Sequence, residues 1–205
     1  MPPFIELPRT FLEMPRWWHE GQDWLATLPE TAEAACRRWR LDRDGPVMHG
    51  SNAIVIPVLR DGEPLALRMA PPDARTRDEV RALRFWDGRG TVRLLDADPD
   101  AGASLLERLD GTRSLATLPL AEAVPIIARL MRRLAVPNPP EDVPSTADIA
   151  RQRAAALPAD WARLGQPFDR SILDAAVAAA TALSRAEADL AVNGDLHFEQ
   201  VLAGE

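Results

Sequence analysis

The sequence predicts an α+β fold, with a small antiparallel-sheet lobe over residues 1–110 followed by a helical lobe over residues 111–205. Three observations carry this. Aliphatic and β-branched runs in the first half meet at short glycine-containing turns, and apolar residues before and between them recur at three- and four-residue steps. After residue 113 the chain becomes alanine-rich and helical in pattern. With 205 residues, 46% hydrophobic and 27% charged, there is enough chain to bury a core in one domain or two small lobes.

Residues 1–20 are proline-rich and irregular, and Trp17 and Trp18 are expected to pack on the body of the fold. Trp24, Leu28, Ala32, Ala35 and Trp39 then mark one face of a helix, with Pro29 a candidate first residue. Residues 41–45 read as a turn. Residues 53–60 and 64–69 are strands joined at Asp61 and Gly62, the residue pair that a two-residue hairpin turn favours. Val80, Leu83 and Phe85 or Trp86 give a second helix over 75–87, ended by Gly88 and Gly90. Residues 91–97 and 103–109 are again strand-like, and this order suits an antiparallel sheet with one helix laid on a face. Leu120, Val124, Ile127, Met131 and Leu134 form the stripe of an amphipathic helix, and Leu120, Val124, Ile127 and Met131 are expected to be core together with Trp86. A proline-rich loop over 137–144, two or three helices over 146–185 and short strands at 190–192 and 201–203 complete the chain. The lobe boundary is expected near residues 110–113, and no internal repeat is visible.

Composition excludes several chemistries. All 24 basic residues are arginine, so a Walker A phosphate loop, a Schiff base and pyridoxal chemistry all lack their lysine. A net charge of −7, with arginine and acid interleaved, argues against a nucleic-acid partner. It is compatible with a cationic small molecule. The longest apolar runs, 53–59 and 175–183, fall short of the roughly 20 residues that cross a bilayer. The first residues carry acid and proline where a secretory signal would be basic and then apolar. The expectation is a cytoplasmic protein without a membrane partner, its oligomeric state open. Cys36, the single cysteine, is expected to be a small core hydrophobe.

Of the three histidines, His19 and His49 read as packing or loop residues. His197 lies in the densest polar cluster, NGDLHFEQ at 193–200, between two apolar triplets. Two chemistries fit this cluster. In an extended segment Asp195, His197 and Glu199 would share one side and could hold a metal. Alternatively, Asp195 and Gln200, five residues apart, supply what phosphoryl transfer needs: a carboxylate to orient the attacking hydroxyl and an amide oxygen for magnesium.

Beside that spacing stand WLATLP at 24–29, RALRFWDGRGTVRLLDAD at 81–98, LLERL at 105–109 and NGDLHFEQVL at 193–202. In that order, from about Trp24 to the last residue, the chain resembles the aminoglycoside and hydroxyurea antibiotic-resistance kinases, the streptomycin phosphotransferase group within the protein-kinase-like fold. The resemblance implies an ATP- and Mg2+-dependent transfer of phosphate to an alcohol group of a small molecule such as an aminoglycoside. It implies that Asp195 is the catalytic base, Gln200 a magnesium ligand, and Gly50, Ser51 and Asn52 a loop over the nucleotide phosphates. Arg68 would contact those phosphates with Glu79 as its ion-pair partner, and the connector from Glu107 to Leu109 would offer backbone groups to adenine.

The chain departs from the family pattern in three places. Arg68 stands where a lysine is usual, and a planar guanidinium is not equivalent to an ammonium. Asn193 and Gln200 stand where His and Asn are usual. The resemblance also implies a C-terminal truncation after residue 205, with a second magnesium-binding aspartate and further helices to follow, and it leaves the strand at 201–203 with an unpaired edge. Three readings therefore stand: a kinase, a non-catalytic remnant of one, and a metal-dependent enzyme built on His197 and Glu199.

Overall fold

The computed structural model describes residues 3–18, 20–137, 140, 145–185 and 190–203. His19 and most of the expected loop at 137–144 lie outside them. The chain divides into two units, Met1–Leu134 with Asn193–Glu205, and Ala135–Val192.

The first unit begins with a short helix α1 (Arg9–Leu12) and a 3-10 turn (Pro15–Trp18), which give the N-terminal residues more order than their prolines suggest. Trp17 is buried, as expected, whereas Trp18 is 66% exposed. Helix α2 spans Gln22–Trp39, so Pro29 lies inside it and does not start it. The missing N–H is tolerated because Leu25, Leu28, Ala32, Ala35, Cys36 and Trp39 bury one continuous face, and that packing outweighs one lost backbone bond.

Strands β1 (Asp42–Arg43), β2 (Met48–His49), β3 (Ile54–Arg60) and β4 (Glu63–Met69) follow. The segment read as a turn at 41–45 thus contains a two-residue strand, because Asp42 and Arg43 find partners in Leu59 and Val58. Asp61 and Gly62 close the β3–β4 hairpin with φ of 53° and 85°, the double positive φ of a type I′ turn. After helix α3 (Ala74–Trp86), strands β5 (Leu94–Asp98) and β6 (Ala103–Glu107) complete an antiparallel sheet of order β1-β3-β4-β6-β5, with β2 also paired to β3. Strand β7 (Asp110–Ser114), a 3-10 turn (Leu115–Thr117) and helix α4 (Leu120–Leu134) come next.

Strand alternation decides what each face carries. Ile54, Ile56, Val58, Leu65, Leu67, Met69, Ala103 and Leu105 pack in one cluster with the apolar face of α2. The other face presents Val55, Ala66 and Leu106 to Leu83 of α3 and to Val92 and Leu94. The sheet is therefore covered on both faces, not one, and a polar residue of β4 such as Arg68 falls on the α3 side. Asp73 caps α3 by accepting from Thr76 N at 3.0 Å.

Helix α4 corrects a further expectation. Its stripe is as wide as the sequence implies, but Ala123 and Leu134 are the buried residues, while Leu120, Val124 and Met131 are exposed. Trp86 is core, and its Nε1 donates to Leu134 O at 3.0 Å. One edge of the stripe holds the helix, not its centre.

Gly102 shows where sterics leave no choice. It sits in the β5–β6 turn at φ 69°, and a Cβ there would lie 1.9 Å from Ala70 O. Its carbonyl also accepts from Ala70 N at 2.9 Å. Gly102→Ala is expected to destabilise the chain by about 2 kcal/mol or more; an unchanged denaturation midpoint would contradict this.

The second unit holds β8 (Val136–Pro137), α5 (Thr146–Arg163), α6 (Arg170–Leu183) and β9 (Leu190–Ala191), with β8 and β9 paired antiparallel. Ser145 and Asp169 cap the two helices through their side chains. Back in the first unit, the 3-10 turn Phe198–Gln200 leads into β10 (Leu202–Ala203). This strand pairs antiparallel with β7, Leu202 opposite Ser114 and Ala203 opposite Asp110.

Candidate functional site

Arg68 lies between Val55 of β3 and Ser104 of β6 in the middle of the sheet. Glu79 stands on α3, one turn before Leu83. The two meet at 2.9 Å, Nη2 to Oε2, with side chains 20% and 35% exposed. Burial pushes the Glu79 carboxyl above its ordinary value; Arg68 pulls it down and Asp73 adds a smaller upward push. The other terminal nitrogen of the fork, Arg68 Nη1, is buried without a hydrogen-bond partner among the described residues. A buried guanidinium N–H without an acceptor is costly, and an anionic oxygen would satisfy it.

Gly50, Ser51 and Asn52 form the tip between β2 and β3, closed by Gly50 N donating to Ala53 O at 3.0 Å. An added Cβ on Gly50 would meet nothing within 4 Å, so the tip is open. His49, expected as a loop residue, is paired with Ile54 as the last residue of β2. Thr10 Oγ1 lies 2.7 Å from His49 Nε2, and Arg16 Nη1 donates to Asn52 Oδ1. Neither contact is legible from local pattern, since residues 36 and 39 positions apart share no periodicity.

Glu107 ends β6, where its N–H donates to Arg93 O at 3.0 Å and its Oε1 accepts from Arg93 N at 2.7 Å. Leu109 follows in the two-residue connector before β7. Between them, Arg108 ties the connector to the sheet: Nε donates to Leu65 O at 3.0 Å, Nη2 to Val58 O, and Nη1 pairs with Asp44.

Asp195 and Gln200 are brought together, Gln200 Nε2 donating to Asp195 Oδ2 at 3.1 Å. Two local bonds produce this. Asn193 Oδ1 accepts from Asp195 N at 2.9 Å, turning the chain, and Gln200 N donates to His197 O in the 3-10 turn that folds Gln200 back. Leu115 N donates to Val201 O at 2.8 Å, fixing the end of the segment to the chain after β7. The same turn breaks the alternation on which the metal reading depends. His197 Nδ1 is 3.9 Å from Glu199 Oε2, and among the described residues no three His, Cys, Asp or Glu side chains gather as a metal cluster would. Among those residues no helix is long and apolar enough to cross a membrane.

Sheet, ion pair and loop together define a mixed α/β protein on an antiparallel sheet, with a charged site beside α3 and an Asp–Gln pair in the segment before its last strand. The chain belongs to the aminoglycoside/hydroxyurea antibiotic resistance kinase family, whose sequence profile matches residues 38–205. It is 37% identical over 207 residues to the hydroxyurea phosphotransferase of Kitasatospora aureofaciens, an alignment covering 98% of this chain and 61% of that protein. It is 40% identical over 189 residues to the streptomycin 6-kinase of Streptomyces griseus, covering 91% and 61%. With the streptomycin 3''-kinase of Klebsiella pneumoniae the identity is 32% over 181 residues, covering 80% and 60%. The chain thus spans about three fifths of the length of these curated relatives.

Proposed function

We propose that the chain carries the nucleotide-binding and base-bearing part of a kinase that moves the γ-phosphate of ATP to an alcohol group of a small molecule, an aminoglycoside being the favoured acceptor. The observation that carries this reading is the Arg68–Glu79 pair, formed across two elements and leaving one buried guanidinium nitrogen without an acceptor. Kinase chemistry asks for a cation held by a helix carboxylate to meet the nucleotide phosphates. Family membership and the names of the relatives support the same class.

In this reading Asp195 orients the acceptor hydroxyl and takes its proton on a carboxylate oxygen as the alcohol oxygen bonds to the γ-phosphorus and the bond from that phosphorus to the β–γ bridging oxygen breaks, ADP being the leaving group. Gln200 uses its amide N–H on Asp195, which turns its amide oxygen away from that bond as a hard donor for magnesium. A bound Mg2+ would supply neutralisation of the phosphate charge. Arg68 would bind phosphate oxygens, Gly50, Ser51 and Asn52 would lie over them, and the backbone of Glu107 and Leu109 would meet adenine. The proposal includes a protein-kinase-like arrangement, an N-lobe over 1–110 and a partial C-lobe over 111–205, and a cytoplasmic setting.

Titration calorimetry with ATP tests the reading on this chain. Saturable binding that strengthens with Mg2+ is expected. No heat with or without the metal would favour a non-catalytic remnant. In the protein as its gene encodes it, transfer of labelled phosphate to streptomycin and not to hydroxyurea would fix the acceptor class.

A further inference from the structure

The tip at Gly50, Ser51 and Asn52 has little support from its own hairpin, because β2 is only two residues long and the space around Gly50 is open. Its side-chain support comes from the N-terminal segment. Arg16 donates to Asn52 Oδ1, Thr10 bonds His49 at 2.7 Å, and the Phe11 ring packs on the His49 imidazole with centroids 5.4 Å apart. The opposite ring nitrogen, His49 Nδ1, lies 3.0 Å from Gly50 O.

That segment is itself anchored in the core. Phe11 and Trp17 are almost fully buried and meet edge to face at 5.1 Å, and Trp17 packs on Trp24 of α2 at 5.3 Å. Gln22 Nε2 donates to Trp17 O, and Gly21 adopts φ 80° with the Trp17 ring 2.8 Å from where a Cβ would stand. The segment thus buries Phe11 and Trp17 in the core and turns two polar side chains, Thr10 and Arg16, to the open tip.

We propose that residues 9–18 form a strut that pre-positions the phosphate loop, with Arg16 the positioning residue acting through Asn52. This rests on the reading of that tip as the loop over the nucleotide phosphates. A loop already ordered before binding spares the ligand the cost of ordering it, so the strut raises nucleotide affinity without touching nucleotide. A bond from a guanidinium to an amide oxygen is charge-assisted, and its loss corresponds to a roughly tenfold change in an equilibrium constant.

Two measurements test this on the 205-residue chain. Without nucleotide, Arg16→Ala is expected to speed amide hydrogen exchange at residues 50–53 roughly tenfold while leaving the melting temperature nearly unchanged; unaltered exchange at the tip overturns the strut. In a binding cycle with Mg·ATP, Arg16→Ala and Asn52→Ala should each weaken binding roughly tenfold, the double variant no further, and Arg16→Lys should recover most of the loss. Additive losses would mean that Arg16 acts on phosphate directly, and no loss would mean that it does not act on the site, and either result overturns the proposal. Failure of the unsubstituted chain to bind Mg·ATP counts against the proposed function alone, because the exchange measurement reads the strut without ligand.

Discussion

Asp195→Asn is expected to lower phosphate transfer by about a thousandfold, within the range assigned to a general base, while Mg·ATP affinity stays within about twofold. The substitution suits the local geometry, because an asparagine oxygen can still accept from Gln200 Nε2 and the turn made by Asn193 is to the backbone N–H, which is unchanged. What is lost is the capacity to take a proton from the attacking hydroxyl. Steady-state transfer to streptomycin, with calorimetry on the same preparation, separates the two effects in the gene-encoded protein. Retained turnover would remove Asp195 from its assigned role, and a parallel loss of nucleotide binding would make it a binding residue. Asp195→Ala should give the same collapse of rate.

Arg68→Ala should produce the largest loss of nucleotide affinity, on the order of a hundredfold for two charge-assisted bonds, together with a pH-dependent loss of stability. The sign follows from Glu79. Burial, the largest influence, raises its folded-state value above the ordinary 4.5, so the folded chain holds that proton more tightly than the unfolded one. Its stabilising contribution is full below 4.5 and fades as pH rises through the raised value. Removing Arg68 takes away the influence that lowers that value, which leaves a half-buried carboxylate without its cation at neutral pH. Arg68→Ala should therefore cost more stability at pH 8 than at pH 5, read from denaturant midpoints at both. Equal losses at the two values would show that the pair does not set the titration of Glu79. Arg68→Lys should keep the ion pair and most of the affinity.

Much of the site was legible because it is local or periodic. Asp61 and Gly62 announce their turn by identity. Alternation from Leu65 to Met69 assigns Arg68 to the face opposite the α2 core, and a five-residue spacing suffices for Asp195 and Gln200 to meet. What escaped depends on distant partners. Strands β1 and β2 exist only because β3 offers them hydrogen bonds, and two residues carry no pattern of their own. Pro29 signals a helix start by intrinsic preference, yet the buried face of α2 continues through it. The exposed centre of the α4 stripe reflects which edge found Trp86, a choice not encoded in the width of the stripe. Arg16 and Asn52 are joined by tertiary packing alone.

The buried position of Cys36 on α2 has a practical consequence. Desolvation is the main reason its thiol is pushed up to about 11, so at neutral pH almost no thiolate is present and the sulfur is shielded by the core. A maleimide dye would therefore pass over the native sulfur and attach to a cysteine introduced at the surface. With no lysine in the chain, amine-directed reagents find no side chain to compete. Site-specific fluorescence labelling can thus proceed on the wild-type background.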